Sequence, residues 1–199
     1  MSLSRLASAL LGASAVLVAL CPTAALAGGF GLFTTGGAHG DRTYGYNEDD
    51  AGEWEQTVAN PLGANFGGGL EIVLGDKDNK VLGVFRGYYL QDAPQTEVAD
   101  TTVSVVRTTP RNMAAITAGL HFGVLGEPDA LQMVIVTNVG AGIATGDLTE
   151  FVTTEAGVGA TWTVARKVQL HASATGGFRY RKRFYPTTNA ILGARYLFD

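Results

Sequence analysis

Few residues in this chain have the chemistry to act on a substrate. His171 and Ser173 stand two positions apart, a base and a hydroxyl of the kind that opens a nucleophilic array. Such an array also needs an acidic group to orient the imidazole, and after Ser173 the only side-chain carboxylate is Asp199. The histidines His39, His121 and His171 share no short spacing, and no cysteine stands near them to complete a ligand set. The run Gly67-Gly68-Gly69 does not lead into a helix as a phosphate-cradling loop would; strand bending or close packing accounts for it. These observations predict no metal, no cofactor and no catalytic residues, so the chain is not expected to be an enzyme.

The elements that must position the polar side chains begin after an export signal. Arg5 supplies positive charge, residues 9–20 form a mostly apolar run, and Ala25-Leu26-Ala27 fits the small-x-small cleavage pattern. An apolar run of about twelve residues is too short to cross a bilayer, which takes about 20. A lipoprotein signal ending at Cys21 would want a small residue before it, and that residue is Leu20. Residues 1–27 are therefore expected to be a cleaved signal peptide, with 28–199 forming one domain. Since the lone cysteine lies within the signal, the remaining chain has no disulfide and no thiolate. It carries 13 basic and 18 acidic residues, a balance that argues against nucleic acid as a partner.

Glycine, 27 residues of the 199 and scattered throughout, disfavours long helices. The recurring signal is instead period two, which sends successive side chains to opposite faces of a strand. Ala114, Ile116, Ala118, Leu120, Phe122 and Val124 make a greasy face against Ala115, Thr117, Gly119, His121 and Gly123. Val152, Ala156, Val158, Ala160, Trp162 and Val164 oppose Thr153, Glu155, Gly157, Gly159, Thr161 and Thr163, with Thr154 as the exception. Val168, Leu170, Ala172, Ala174, Phe178 and Tyr180 oppose Lys167, Gln169, His171, Ser173, Thr175 and Arg179. Segments around Leu70, Ile135 and Leu192 behave alike, and near 81–91 Arg86 sets the phase by avoiding lipid, which turns Leu82 and Val84 inward. The first segment, about 29–37, is Gly-rich and ambiguous.

Eight segments of roughly ten residues match the length a tilted strand needs to span a bilayer and the smallest bacterial barrel. The connectors are expected to alternate: long 39–63, tight 75–79, long 92–112, tight 126–129, medium 145–150, minimal 165–166, and a last loop at 181–187. With short turns toward the periplasm, both ends of the chain face that side. Phe122, Trp162 and Phe198 then mark one interfacial belt and Phe66, Tyr89, Phe178 and Tyr180 the other. Glu71, Arg86, Glu155 and Arg195 point inward from different strands and are expected to form an ion-pair network, since eight strands leave an interior only just wide enough for side chains. The first loop is acidic, with Asp41, Glu48, Asp49, Asp50, Glu53 and Glu55, and the last is basic, with Arg181, Lys182 and Arg183. Plain solvation, pairing between the loops, partner recognition, and contact of the basic loop with phosphates of surface lipopolysaccharide are the readings of these charges.

From residue 28 onward the chain resembles the class of small eight-stranded outer-membrane barrels that includes OmpX and the membrane domain of OmpA, and the closing Ala194-Arg195-Tyr196-Leu197-Phe198 is similar to their C-terminal assembly signal, here followed by Asp199. The resemblance is architectural and implies an all-β, antiparallel up-and-down barrel in the outer membrane, a monomer in contact with lipid and lipopolysaccharide. A structural or interaction role follows, the membrane anchor of an envelope complex included; a narrow small-solute pore is the alternative. A soluble lipocalin-like barrel would alternate too, with its greasy face inward. His171-Ala172-Ser173 resembles the His-x-Ser pair of PagL-type lipid A deacylases, small barrels themselves, but the downstream Glu of that family has no counterpart. Expression in a host of defined lipid A should therefore leave its composition unchanged, with His171→Ala and Ser173→Ala indistinguishable from wild type by mass spectrometry; a change lost in both variants would establish the enzyme.

Overall fold

The computed structural model describes residues 28–40, 43–48, 54–59, 62–75, 80–92, 112–144, 149–180 and 184–198. The expected signal peptide, Asp199 and the basic segment Arg181, Lys182 and Arg183 lie outside them. Ten strands follow in chain order: β1 (Gly28–Gly40), β2 (Thr43–Glu48), β3 (Trp54–Ala59), β4 (Leu62–Leu74), β5 (Val81–Asp92), β6 (Met113–Gly126), β7 (Leu131–Ala144), β8 (Thr149–Ala165), β9 (Val168–Tyr180) and β10 (Phe184–Leu197). Eight of them close into a barrel in the order β1-β10-β9-β8-β7-β6-β5-β4, every neighbouring pair antiparallel. Closure is made by β1, which pairs with β10 from Gly29↔Leu197 to His39↔Thr187 and with β4 from Gly28↔Leu74 to Gly40↔Leu62. No barrel strand is left with a free edge, so backbone donors and acceptors are met within the sheet.

Lys167 apart, the expected faces of the described strand residues are the observed ones. Ile116, Val158, Leu192 and Phe178 are exposed on the outside, while Thr117, Gln169, Ser173 and Arg195 are buried within. Leu82, Val84 and Arg86 all point inward, as the phase chosen for that strand required. The ambiguous first strand is resolved by its two neighbours: it runs from Gly28 to Gly40, with Phe30 and Leu32 exposed outside and Phe33 buried inside. A hydrophobic outer face around an interior that buries charged and polar residues such as Glu71, Arg86, Gln169 and Arg195 beside hydrophobic ones such as Val84 and Leu90 is the reverse of a water-soluble barrel.

Three expectations about connectors need correction. Residues 39–63 are not simply a loop, because β2 and β3 pair there as a two-stranded hairpin from Thr43↔Ala59 to Glu48↔Trp54. Its Thr, Tyr and Val content suits strands, but the acidic residues around it mask that signal. Residues 145–150 and 181–187 shrink to connectors 145–148 and 181–183, because β8 begins at Thr149 and β10 at Phe184. Strand pairing extends past the point where hydrophobic alternation fades, since the ladder needs backbone groups rather than greasy side chains. The contrast in connector length therefore rests on 41–61 and 93–112 against 75–80, 127–130 and 166–167. At the short turns Gly75 (φ 122°) and Gly126 (φ 85°) occupy backbone conformations that glycine adopts without strain.

Val158 lies near the middle of β8, between Ile135 and Ala174 on the outer face. Val158→Arg should lower folding stability in lipid vesicles by about 2–4 kcal/mol, the cost of a cation near the bilayer midplane. An unchanged unfolding midpoint would mean that this face meets water.

Candidate functional site: the charged interior

One side chain gathers the centre of the barrel. Glu71 on β4 is 1% exposed, and its carboxylate accepts from Arg86 Nε on β5 (3.0 Å to Oε2) and from Arg195 on β10 in a two-pronged contact, Nε to Oε1 at 2.6 Å and Nη2 to Oε2 at 3.4 Å. Nε2 of His171 on β9 comes within 2.7 Å of Oε1 as a close contact rather than an aligned hydrogen bond. A carboxylate has about four acceptor positions, and these approaches take up both oxygens. The charge-assisted, bidentate Arg195 pair is the strongest kind of such contact. Arg195 also donates from Nη1 to Gln169 Oε1 at 3.3 Å.

His121 on β6 completes the group. Its Nε2 lies 3.3 Å from Arg86 Nη2 and its Nδ1 3.4 Å from Arg195 Nη2. A neutral imidazole accepts through one nitrogen and a guanidinium never accepts, so one of these contacts is a hydrogen bond and the other a close approach. Four strands besides β4 thus send a side chain to this carboxylate or to its arginines.

The geometry depends on two glycines. Gly31 on β1 is paired with both Glu71 and Arg195, one on each side, so the acid and the base meet over a strand that contributes no side chain there. A Cβ at Gly31 would come 3.0 Å from Glu71 Oε1 and from Arg195 Cγ. Gly193 on β10 pairs with His171 in the same way, and a Cβ there would run into His171 Nε2. Neither glycine had a role in the sequence reading; their inward parity opposite Glu71 and His171 was the available signal, but it needs the register to be read.

Of the four residues expected to form one ion-pair network, Glu71, Arg86 and Arg195 are brought together. Glu155 is held apart from the Glu71 carboxylate. It accepts from Thr175 Oγ1 (3.0 Å) and Asn189 Nδ2 (2.6 Å), and Arg179 and Arg86 attract its charge from further off. Parity fixes which face a residue shares, and strand stagger fixes the height at which it sits. Lys167, also expected to face inward, lies in the turn between β8 and β9. Toward the end bearing the long connectors, Leu90, Met113, Ala115, Ala144 and Phe151 form an apolar cluster with Tyr88 packed against it, and Arg179 lies over the Phe151 ring at 4.6 Å. This cluster fills one end of a lumen whose β8 and β9 walls are largely polar.

The structure supplies His171 with an acidic neighbour after all, Glu71 from β4 rather than a downstream residue. Ser173 Oγ, however, has no hydrogen-bond partner among the described residues. His171 and Ser173 are both buried on the inner wall, 4% and 8% exposed, without the serine–histidine link that activates a nucleophile.

The aromatic residues expected in two belts, Phe66, Tyr89, Phe122, Trp162, Phe178, Tyr180 and Phe198, all face outward on the parity of their strands, and they divide between the two ends as expected. Phe30 and Tyr196 join Phe198 at the short-turn end, with ring centroids 5.9–6.1 Å apart. Phe184 joins Phe178 and Tyr180 at the other, at 6.3 and 5.0 Å.

The molecule is thus a closed, eight-stranded, all-antiparallel up-and-down β-barrel, established by its own strand ladders. No family model and no curated protein matches the sequence. Among solved structures it is similar to Ail, the attachment invasion locus protein of Yersinia pestis, at 13% identity and a TM-score of 0.47 over 86% of this chain and 98% of that one. It is similar to neisserial surface protein A at 12% identity and 0.45, over 85% and 97%. A de novo designed transmembrane β-barrel is similar at 13% and 0.37, over 85% and 95%.

Removing one partner of a buried ion pair strands the other and costs about 3–5 kcal/mol. Glu71→Gln and Arg195→Ala should each lower the unfolding free energy of the barrel in detergent, read from urea titration, by that much, whereas Ser173→Ala, which removes a hydroxyl unpartnered among the described residues, should change it by less than about 1 kcal/mol. Equal effects from all three would show that the cluster does not hold the interior together.

Proposed function

We propose that the protein is an integral outer-membrane β-barrel with a structural or interaction role: a monomeric scaffold with a closed lumen, presenting its long connectors outside and keeping both termini in the periplasm. The observation that carries this reading is the filled interior. Glu71, Arg86, Arg195, His121 and His171 meet across the barrel with exposures of 1–4%, and the apolar group around Phe151 fills the lumen further along. An eight-stranded barrel has no bore to spare once such side chains are in place. The lipid environment is supported by the apolar outer wall between two aromatic belts.

The surface available to a partner is then the end that carries 41–61, with its β2–β3 hairpin, and 93–112. Contacts there, with another envelope protein or through Arg181, Lys182 and Arg183 with lipopolysaccharide phosphates, are the activity proposed. Closure needs no second chain, which supports a monomer.

Fractionation of cells expressing the full chain should place it in the outer membrane, resistant to alkaline carbonate, and in planar bilayers the purified protein should give no steady conductance. Recovery as a soluble periplasmic monomer would overturn the membrane reading. Steady ion-selective currents altered by Glu155→Ala or Arg86→Ala would replace the scaffold by the pore.

A further inference from the structure

The guanidinium of Arg86 lies over the Phe33 ring at 5.4 Å, and of its three nitrogens two have polar partners. Nε serves Glu71 and Nη2 faces His121, while Nη1 has no hydrogen-bond partner among the described residues, although Arg86 is 2% exposed. Arg86 borders a cavity inside the barrel with about 10 Å³ open to the centre of a water molecule; Thr117, Asn138, Glu155 and Asn189 stand on its polar side, and Phe33, Leu90 and Ile191 on its apolar side. Asn138 is 6% exposed, and its Oδ1 likewise has no partner among the described residues. Asn138 stands directly opposite Glu155 in the β7–β8 ladder. Arg86 and Asn138, each with an unmatched buried polar atom among the described residues, therefore line the same void, with Glu155 beside them.

The chemistry of that lining selects the occupant. An anion would accept from Arg86 but would face Glu155 and the Asn138 oxygen. A metal cation would suit the two oxygens but would face the guanidinium. Only a small group that both donates and accepts satisfies all three, and the volume is about that of a single water site.

We propose that one water molecule is a fixed part of this barrel, accepting from Arg86 Nη1 and donating to Asn138 Oδ1 and the Glu155 carboxylate. It joins the cluster around Glu71 to the cluster around Glu155, which direct contacts leave separate. Arg86 is then the positioning residue between them, one arm on each side. The closed lumen of the scaffold reading explains why the water is held rather than passing through, and bilayer currents test that closure independently of the water.

The test is a crystal structure of the full chain in detergent at a resolution that shows ordered water, from crystals grown in chloride and again in bromide. A single isolated peak within about 2.7–3.2 Å of Arg86 Nη1, Asn138 Oδ1 and a Glu155 oxygen, without anomalous signal in bromide, is expected. Asn138→Leu, which removes an acceptor and fills the space, should abolish the peak and leave the Glu71–Arg86 contact in place. An empty cavity in the wild-type protein, or an anomalous bromide peak at Arg86, would overturn the proposal, and both are read without the variant.

Discussion

A carboxylate buried at the centre of a barrel is the constraint on which the rest of this structure turns. Glu71 is on a strand whose outer face is hydrophobic, and it points inward, where water is scarce and an isolated charge is expensive. Its cost is met by cations from two other strands, Arg86 beside it and Arg195 reached across β1. Arg195 comes within reach only if β10 closes onto β1, because it lies 124 positions away in the chain. Barrel closure and charge neutralisation are thus one requirement, and Gly31, between the acid and the base, is where both are met.

The outer and inner walls solve opposite problems with the same backbone. Outside, Leu32, Ile116, Val158 and Leu192 cover the strands with hydrocarbon, and the rings of Phe30, Tyr196 and Phe198 gather at one rim while Phe178, Tyr180 and Phe184 gather at the other. Inside, the inward positions of β8 from Thr153 to Thr163 and of β9 from Gln169 to Arg179 are polar or glycine. The opposite wall carries Phe33, Val73, Leu82, Val84 and Leu90. The lumen is therefore two-sided, a polar wall against an apolar one with the Glu71 cluster between them. Such an interior is packed like a core, as the proposed scaffold requires.

Alternation along single segments determined much of this protein without any structure. Its recurrence set the number of barrel strands, and its parity set the face of most described strand residues from 65 to 198, the inward turn of Glu71, Arg86, Glu155 and Arg195 included, because a strand has a period of two. Where parity was diluted, as among the glycines near 29–37 or the acids around β2 and β3, strand boundaries and even strand existence were lost. Tertiary structure decided the rest. Which inward residues share a height depends on the stagger between strands, a quantity no single segment contains. That stagger gave Glu71 two arginines and a histidine, sent Glu155 to Thr175 and Asn189, and placed Gly31 and Gly193 where the longer side chains had to pass.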